Sequence, residues 1–330
     1  MSRRQSMASV GWWSPSPAAN FGPMPPRELP PGLGGHARWD AQPALRSRIA
    51  DGAIVVPGVI DALTSRLVER AGFSAAYVTG AGFANSAFGF PDIGLVTRTE
   101  LVQHVGRIRE ACRLPLIVDA DTGFGGPLSV MRSIYQLESV GASAIQIEDQ
   151  RDPKRCGHFE GQRLVTATEM TEKIDAAIRA RSSPDLMIIA RTDARNVEGL
   201  EEAIRRAKEY LAAGADALFV EAPRSEAEFA RVAAEVPGVP LVANLVEGGK
   251  TPSVPASRLE ELGYRIILRA NLLLRTMAAA ARQALAMLAA GEADPVLENR
   301  MLTWDERQEL MMLDEFDSLA GDIQRGRRKA

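Results

Sequence analysis

Arg70-Ala71-Gly72-Phe73-Ser74-Ala75, Ser139-Val140-Gly141-Ala142-Ser143-Ala144 and Ala213-Gly214-Ala215-Asp216-Ala217 are three versions of one phrase in this 330-residue chain. Each reads as a helix stopped at glycine, a tight turn and a new strand. Working outward, short apolar runs alternate with amphipathic stretches from Ala53 onward. The strand candidates are Ala53–Val56, Ala75–Thr79, Leu116–Asp119, Ala144–Glu148, Leu186–Arg191, Ala217–Glu221, Leu241–Asn244 and Arg265–Arg269. Helical patterns fall between them, among them Ala62–Ala71, Leu128–Val140, Glu198–Ala213 and Ala227–Glu235. Eight such alternations predict an α/β fold, a (β/α)8 TIM-type barrel, rather than an open doubly wound sheet. Gly80-Ala81-Gly82 lacks the third glycine and the acidic partner of a dinucleotide fingerprint.

The first 45 residues differ in character. Trp12-Trp13-Ser14-Pro15-Ser16-Pro17 and Pro23-Met24-Pro25-Pro26 cannot continue a helix or a strand ladder. We expect a disordered tail over 1–45, a barrel over 46–290, and a C-terminal helical extension over 291–330 packing on the barrel or on a neighbouring subunit. Arg3 and Arg4 precede no apolar segment of the kind a secretory signal needs. No apolar run approaches the ~20 residues that span a bilayer. A net charge of −3 gives no electrostatic reason to bind nucleic acid or an anionic membrane. Two cysteines provide no disulfide framework and suit a reducing, cytoplasmic setting. Cys112 reads as a small buried hydrophobe, and His36 and His104 as incidental.

The strand ends carry the polar residues. Side chains alternate along a strand, so Ile117, Asp119 and Asp121 share a side. The same parity pairs Gln146 with Glu148, Ile189 with Arg191, Phe219 with Glu221 and Val242 with Asn244. In a barrel, inward positions at the carboxyl ends form the active mouth. Asp119-Ala120-Asp121 with the glycine-rich turn Thr122-Gly123-Phe124-Gly125-Gly126 offers oxygen ligands suited to Mg²⁺, which keeps several waters and takes one or two carboxylates. Glu148 and Asp92 are placed to hold those waters. No His/Cys cluster has zinc spacing. Alone, an Asp-x-Asp at a strand end is more often a cap or turn; the convergence with Glu148, Arg191 and Glu221 favours a metal. Arg191 suits a bidentate bond to a substrate carboxylate, with an ion pair to Glu148 or Glu221 as the structural counterpart.

Lys154-Arg155-Cys156-Gly157-His158 follows the strand that ends at Glu148. Positive neighbours favour a thiolate, and such a thiol can exchange protons as a general acid or base.

Taken together, these motifs resemble the isocitrate lyase/phosphoenolpyruvate mutase superfamily from about Pro57 to Asp322. The matching phrases are Val118 through Gly125, Ile147-Glu148-Asp149-Gln150, Lys154 through His158, Ala190-Arg191-Thr192-Asp193-Ala194 and Ala243-Asn244-Leu245. The cysteine loop resembles the lyase branch, including 2-methylisocitrate lyase, dimethylmalate lyase and oxaloacetate acetylhydrolase. The resemblance implies Mg²⁺, with Mn²⁺ as a substitute, on Asp119 and Asp121, with Asp92 and Glu148 in its outer shell. It implies catalytic roles for Cys156, His158, Lys154, Arg191 and Glu221. Substrate contacts are implied for Tyr77, Thr79, Gly80, Ala81, Gly157, Asn244, Arg275 and Arg307. A homotetramer with the last barrel helix exchanged between subunits is also implied, Met301–Ile323 fitting such an interface.

Departures from the 2-methylisocitrate pattern narrow the expected substrate. Phe159-Glu160-Gly161 follows His158, Val246 replaces a threonine, and Ala270-Asn271 stands where many lyases have Pro-Leu or Pro-Ser. Among small di- and tricarboxylates, a 2-hydroxy or 2-oxo dicarboxylate is preferred. The expected reaction is carbon–carbon cleavage to a 2-oxo acid and a carboxylate. Oxaloacetate hydrolysis or a phosphonate rearrangement is the alternative.

Overall fold

The computed structural model describes residues 37–157, 159–249, 251–291 and 294–327. Its first half runs α1 (Ala37–Asp51), β1 (Ile54–Val59), α2 (Ala62–Arg70), β2 (Ala76–Val78), α3 (Gly80–Phe88), α4 (Arg98–Ala111), β3 (Leu116–Asp119), α5 (Pro127–Ser139), β4 (Ala144–Glu148) and α6 (Ala167–Ala180). The second half runs β5 (Met187–Thr192), α7 (Ala194–Val197), α8 (Leu200–Ala212), β6 (Ala217–Val220), α9 (Glu226–Glu235), β7 (Leu241–Asn244), α10 (Ala256–Glu261) and β8 (Tyr264–Arg269). After the last strand come α11 (Leu272–Ala289), α12 (Asp294–Glu298), α13 (Trp304–Leu310) and α14 (Leu313–Arg327). The eight strands close into one parallel barrel in sequence order, with β8 returning to β1.

Side-chain parity sorts the strands into two cores. Tyr77, Ile117, Ala144, Ile189, Phe219, Val242 and Leu268 point inward and fill the barrel. Val78, Val118, Ile145, Ile188, Leu218 and Ile267 point outward against the helices. Leu45 and Ile49 of α1 join the inner cluster, so α1 plugs the amino end. Arg46 fastens it there, donating to Asp216 Oδ1 at 2.8 Å and to the Pro184 carbonyl at 2.9 Å. Helix starts are capped as their sequences dictate. Asp61, Thr97 and Thr166 each form a capping box with the residue three places on.

The strand positions agree with the expected ones to within three residues at either end. Three expectations need correction. Residues 37–45 belong to a helix rather than to an unstructured tail, because Leu45 is buried under the barrel; residues 1–36, including His36, lie outside the described residues. The stretch expected as one helix over Glu198–Ala213 instead starts at Leu200 after the separate turn α7, with Gly199 between them at φ +100°. Finally, α11 is long and apolar enough, by length and composition alone, to cross a membrane, which the sequence pattern had not suggested. None of its residues is buried.

Cys112 is buried as expected, and burial pushes its thiol above the ordinary value. His104 is not incidental. Its ring stacks on Phe83 with centroids 3.9 Å apart, and burial lowers its pKa from 6.5 to about 4, with Arg107 adding to that and Asp61 opposing it. A histidine depressed in the folded state contributes stability above pH 6.5 that is lost as pH falls toward 4, because the unfolded chain takes up the proton first. Urea unfolding should therefore show a loss of about 3 kcal/mol between pH 7 and 4 from this group, on the usual conversion of a pKa difference to free energy. The His104→Phe variant should lack that component; an identical pH slope in both proteins refutes the assignment.

Candidate active site

Parity and register deliver the polar residues to the carboxyl mouth of the barrel. Asp119 ends β3 and Glu148 ends β4. Glu148 is the register partner of Arg191 on β5, which puts carboxylate and guanidinium side by side. Glu221 follows β6 and Asn244 ends β7. Beyond β3 the chain turns sharply: Asp121 has φ +48° and Gly123 φ +85°. A side chain at 123 would also meet Val130 Cγ2 at 2.7 Å, so glycine is required twice over.

Arg191 is the hub. Its Nε and Nη2 donate to the two oxygens of Asp193, both at 2.9 Å. Glu148 Oε2 lies 3.3 Å from Nε and Glu221 Oε2 lies 3.4 Å from Nη1. The guanidinium sits 5.2 Å above the Phe219 ring. Lys154 forms an ion pair with Asp92 and a second with Asp121, whose Oδ1 stands 2.8 Å from Nζ. Tyr77 donates to Gln146 Oε1 at 3.2 Å, and Gln146 Nε2 donates to Asp119 Oδ1 at 3.1 Å.

Charge at this mouth is unbalanced. The carboxylates of Asp92, Asp119, Asp121, Glu148, Asp193 and Glu221 gather around the cations Lys154 and Arg191. Burial, and then the neighbouring carboxylates against Lys154, raise the Asp121 carboxyl to about 6. Glu148 is also raised, by burial first, with Arg191 opposing. For Lys154, burial disfavours the charge, but Asp121 and Asp92 outweigh it and the ammonium is held well above its ordinary value. Burial and the nearby Asp119 raise Tyr77.

The cysteine loop is folded over this cluster. An antiparallel bridge between Gln150 and Leu164 closes its base. Cys156 N donates to the Asp92 carbonyl at 3.1 Å, and Asn196 Nδ2 donates to the Gly157 carbonyl at 2.6 Å. A Cβ on Gly157 would fall 2.4 Å from Arg191 Nη2, so only glycine permits this seat.

A cavity that opens to solvent lies between loop and barrel. Its lining unites Tyr77, Thr79, Ala81, Asp92, Asp119 and Glu148 with Lys154, Cys156, Gly157, Arg191, Glu221 and Asn244. Gly80 and Asp121 border a smaller adjoining cavity that shares Asp92 and Asp119. His158 lies outside the described residues. Arg275 and Arg307 do not reach either cavity. Arg275 donates to the Glu247 carbonyl, and Arg307 lies exposed 3.9 Å from the Trp304 ring. Arg155, Ala270 and Asn271 line the main cavity without having been assigned a place there. Gln146 and Asp193 are likewise new to the site. Strand parity marked Gln146, whereas nothing in the residue order marked the grip of Asp193.

Among the described residues, no three His, Cys, Asp or Glu side chains approach closely enough to ligate one ion directly. An ion here would be held mostly through water. Three observations fit a hydrated divalent cation: the negative excess; Glu148 Oε1, buried without a hydrogen bond; and Gly80. A Cβ at 80 would stand 3.2 Å from both Asp119 Oδ2 and Asp121 Oδ1, so its absence leaves space between those oxygens.

Comparison with known proteins agrees with this geometry. The family described as phosphoenolpyruvate phosphomutase matches residues 45–289. A 2,3-dimethylmalate lyase of Eubacterium barkeri is 41% identical over 274 residues, 83% of this chain and 94% of that protein. A 2-methylisocitrate lyase of Aeropyrum pernix is 47% identical over 215 residues, 65% of this chain and 68% of that one. The solved structure of oxaloacetate acetylhydrolase with 3,3-difluorooxalacetate has a TM-score of 0.78 at 31% identity, covering 88% of this chain and 97% of its own. Phosphonopyruvate hydrolase in complex with oxalate and Mg²⁺ has a TM-score of 0.76 at 29% identity, covering 85% and 98%. Matched along most of its length, the chain belongs to the phosphoenolpyruvate phosphomutase family, among the carbon–carbon lyases of the isocitrate lyase/phosphoenolpyruvate mutase superfamily.

Proposed function

We propose that this chain is a Mg²⁺-dependent lyase that cleaves a carbon–carbon bond in a 2-hydroxy dicarboxylate, releasing a 2-oxo acid and a carboxylate. The observation that carries the reading is one cavity in which Cys156, Arg191 and the Asp119/Glu148 carboxylates face each other. Asp119 and Asp121 would hold the cation, with Asp92 and Glu148 binding its waters; Mn²⁺ would serve in its place. Such a cation supplies Lewis-acid polarisation of the C2 oxygen and the adjoining carboxylate.

The protein residues do the rest. Bond cleavage turns the C2 alcohol into a carbonyl, its hydroxyl proton passing to one of the carboxylates that line the cavity, and leaves the bonding pair on C3, conjugated with the departing carboxylate. Arg191 offsets the charge of that enediolate through a fixed, water-poor guanidinium. Cys156 then gives its proton to C3, with His158, Lys154 and Glu221 tuning the thiol. The loop, latched by Asn196 on Gly157, keeps water from the enediolate. Tyr77, Thr79, Gly80, Ala81, Gly157 and Asn244 shape and orient the substrate.

A hydrolytic outcome on oxaloacetate is the second reading. Asn271, a polar side chain on the cavity wall beside Ala270, favours a substrate that presents an extra oxygen there. A panel of 2-hydroxy and 2-oxo dicarboxylates with Mg²⁺, assayed for pyruvate, glyoxylate and oxalate, separates the two. Cys156→Ser should lower turnover at least about 1000-fold, as loss of a general acid does, with Mg²⁺ affinity retained; full turnover in that variant excludes the role. Gly80→Ala should weaken Mn²⁺ binding at least about tenfold in an electron-paramagnetic-resonance titration, because the added methyl crowds both aspartates. Unaltered affinity would place the cation elsewhere.

The working assembly is read as a cytoplasmic homotetramer in which α11 packs on a neighbouring barrel. What supports this is the helix itself: Leu285 and Leu288 are 65% and 62% exposed in the isolated chain. Replacing both leucines with lysine should dissociate the assembly in sedimentation velocity. A species of unchanged size would sink the exchange of α11.

A further inference from the structure

We infer that Asp193 is a positioning residue for the reaction, aiming the Arg191 guanidinium at the substrate from within a buried chain of bonds that starts at Tyr210. The inference rests on the proposed role of Arg191.

The guanidinium has two usable edges. Asp193 occupies the Nε/Nη2 edge with two aligned bonds, each 2.9 Å. Glu148 and Glu221 stand at 3.3 and 3.4 Å, close enough to pair in charge but beyond good hydrogen-bond length for a charged group. Asp193 therefore supplies the two short, aligned bonds that fix the plane of the guanidinium, while Nη1 faces Glu221 at 3.4 Å. The Asp193 side chain is 0% exposed, so water cannot substitute for it.

Asp193 is itself held from behind. Its backbone N donates to Asp149 Oδ1 at 3.0 Å, and the neighbouring Thr192 Oγ1 donates to Asp149 Oδ2 at 2.7 Å. Asp149 Oδ2 also accepts from Tyr210 Oη at 2.7 Å and from Arg206 Nη1 at 3.2 Å. Tyr210 and Arg206 belong to α8, outside the barrel wall. The bonds thus run from an outer helix through Asp149 to Asp193 and end on Arg191, the buried arginine of the mouth. The same turn carries Asn196, which holds the Gly157 carbonyl. A role limited to pairing with Arg191 would not need this, since Glu148 and Glu221 also stand within ion-pair distance of it.

The test compares Asp193→Asn, Tyr210→Phe and the double variant in the full-length enzyme with Mg²⁺. Asp193→Asn keeps the shape but loses one acceptor and the charge, so kcat should fall about 100-fold, the usual cost of a misaimed group. KM should stay within about threefold, since ground-state contacts persist. Tyr210→Phe should lower kcat about threefold alone and not at all in the Asp193→Asn background, because both act along one chain. Undiminished kcat in Asp193→Asn, or independent, multiplicative losses in the double variant, overturns the inference. If Asp193→Asn does not fold, Tyr210→Phe decides: a lower kcat at constant KM supports positioning, and an unchanged kcat refutes it.

A readout independent of turnover accompanies these. The Nε–H resonance of Arg191, identified by its loss in Arg191→Lys, should exchange slowly with solvent in the wild type and broaden in Asp193→Asn. Persistence of a sharp resonance in that variant refutes the grip. Absence of turnover on every dicarboxylate would defeat the functional reading while leaving this measurement to decide the positioning.

Discussion

Six carboxylates gather around the buried cations Lys154 and Arg191 at one mouth, with the exposed Arg155 also on its wall, and the rest of the structure depends on how that excess is held. Burying uncompensated charge is costly unless it is paired and hydrogen-bonded. Each cation therefore serves several acids at once: Arg191 serves Asp193, Glu148 and Glu221, and Lys154 serves Asp92 and Asp121. Neither set is neutralised, and burial with crowding drives Asp121 and Glu148 upward in pKa. A site in this condition attracts positive charge, and the gap left by Gly80 marks where there is room for it. The loop takes part in the same balance, since Lys154 pairs with the Asp92 carboxylate while the Cys156 backbone N–H holds the Asp92 carbonyl.

Stability and chemistry occupy opposite ends of the barrel, as the architecture generally arranges them. At the amino end, Leu45 and Ile49 fill the bore and Arg46 is tied to Asp216, giving a closed apolar base. At the carboxyl end the inward positions change from Ile117, Ile189 and Phe219 to Asp119, Arg191 and Glu221 within two residues. Rigid strands thus support the charged groups, while the segment between Gln150 and Leu164 supplies the thiol from a loop.

Much of this was legible in the residue order, and the portion that was not has a common cause. Alternation and glycine stops located the strands, and the same parity picked out Asp119, Glu148, Arg191, Glu221 and Asn244 for the mouth. Those signals are local. Pairings between distant segments left no such trace: Phe83 with His104, Tyr77 with Gln146, and Asp149 with Tyr210 depend on which elements the barrel makes neighbours. Arg275 and Arg307 were assigned by residue type alone, and neither lines the two cavities of this chain. Asp193 stood in plain view beside Arg191, yet its grip depends on a side-chain turn that periodicity does not encode.

The pairing of Glu148 with Arg191 across β4 and β5 has a consequence for how such a barrel tolerates change over evolutionary time. Loss or gain of one residue within either strand would turn the affected charge through half a rotation, out of the bore and into the greasy layer beneath the helices. Length variation is thereby excluded from the strands and confined to the connecting segments beyond their carboxyl ends. New specificities can be explored there while the charged pair keeps its alignment.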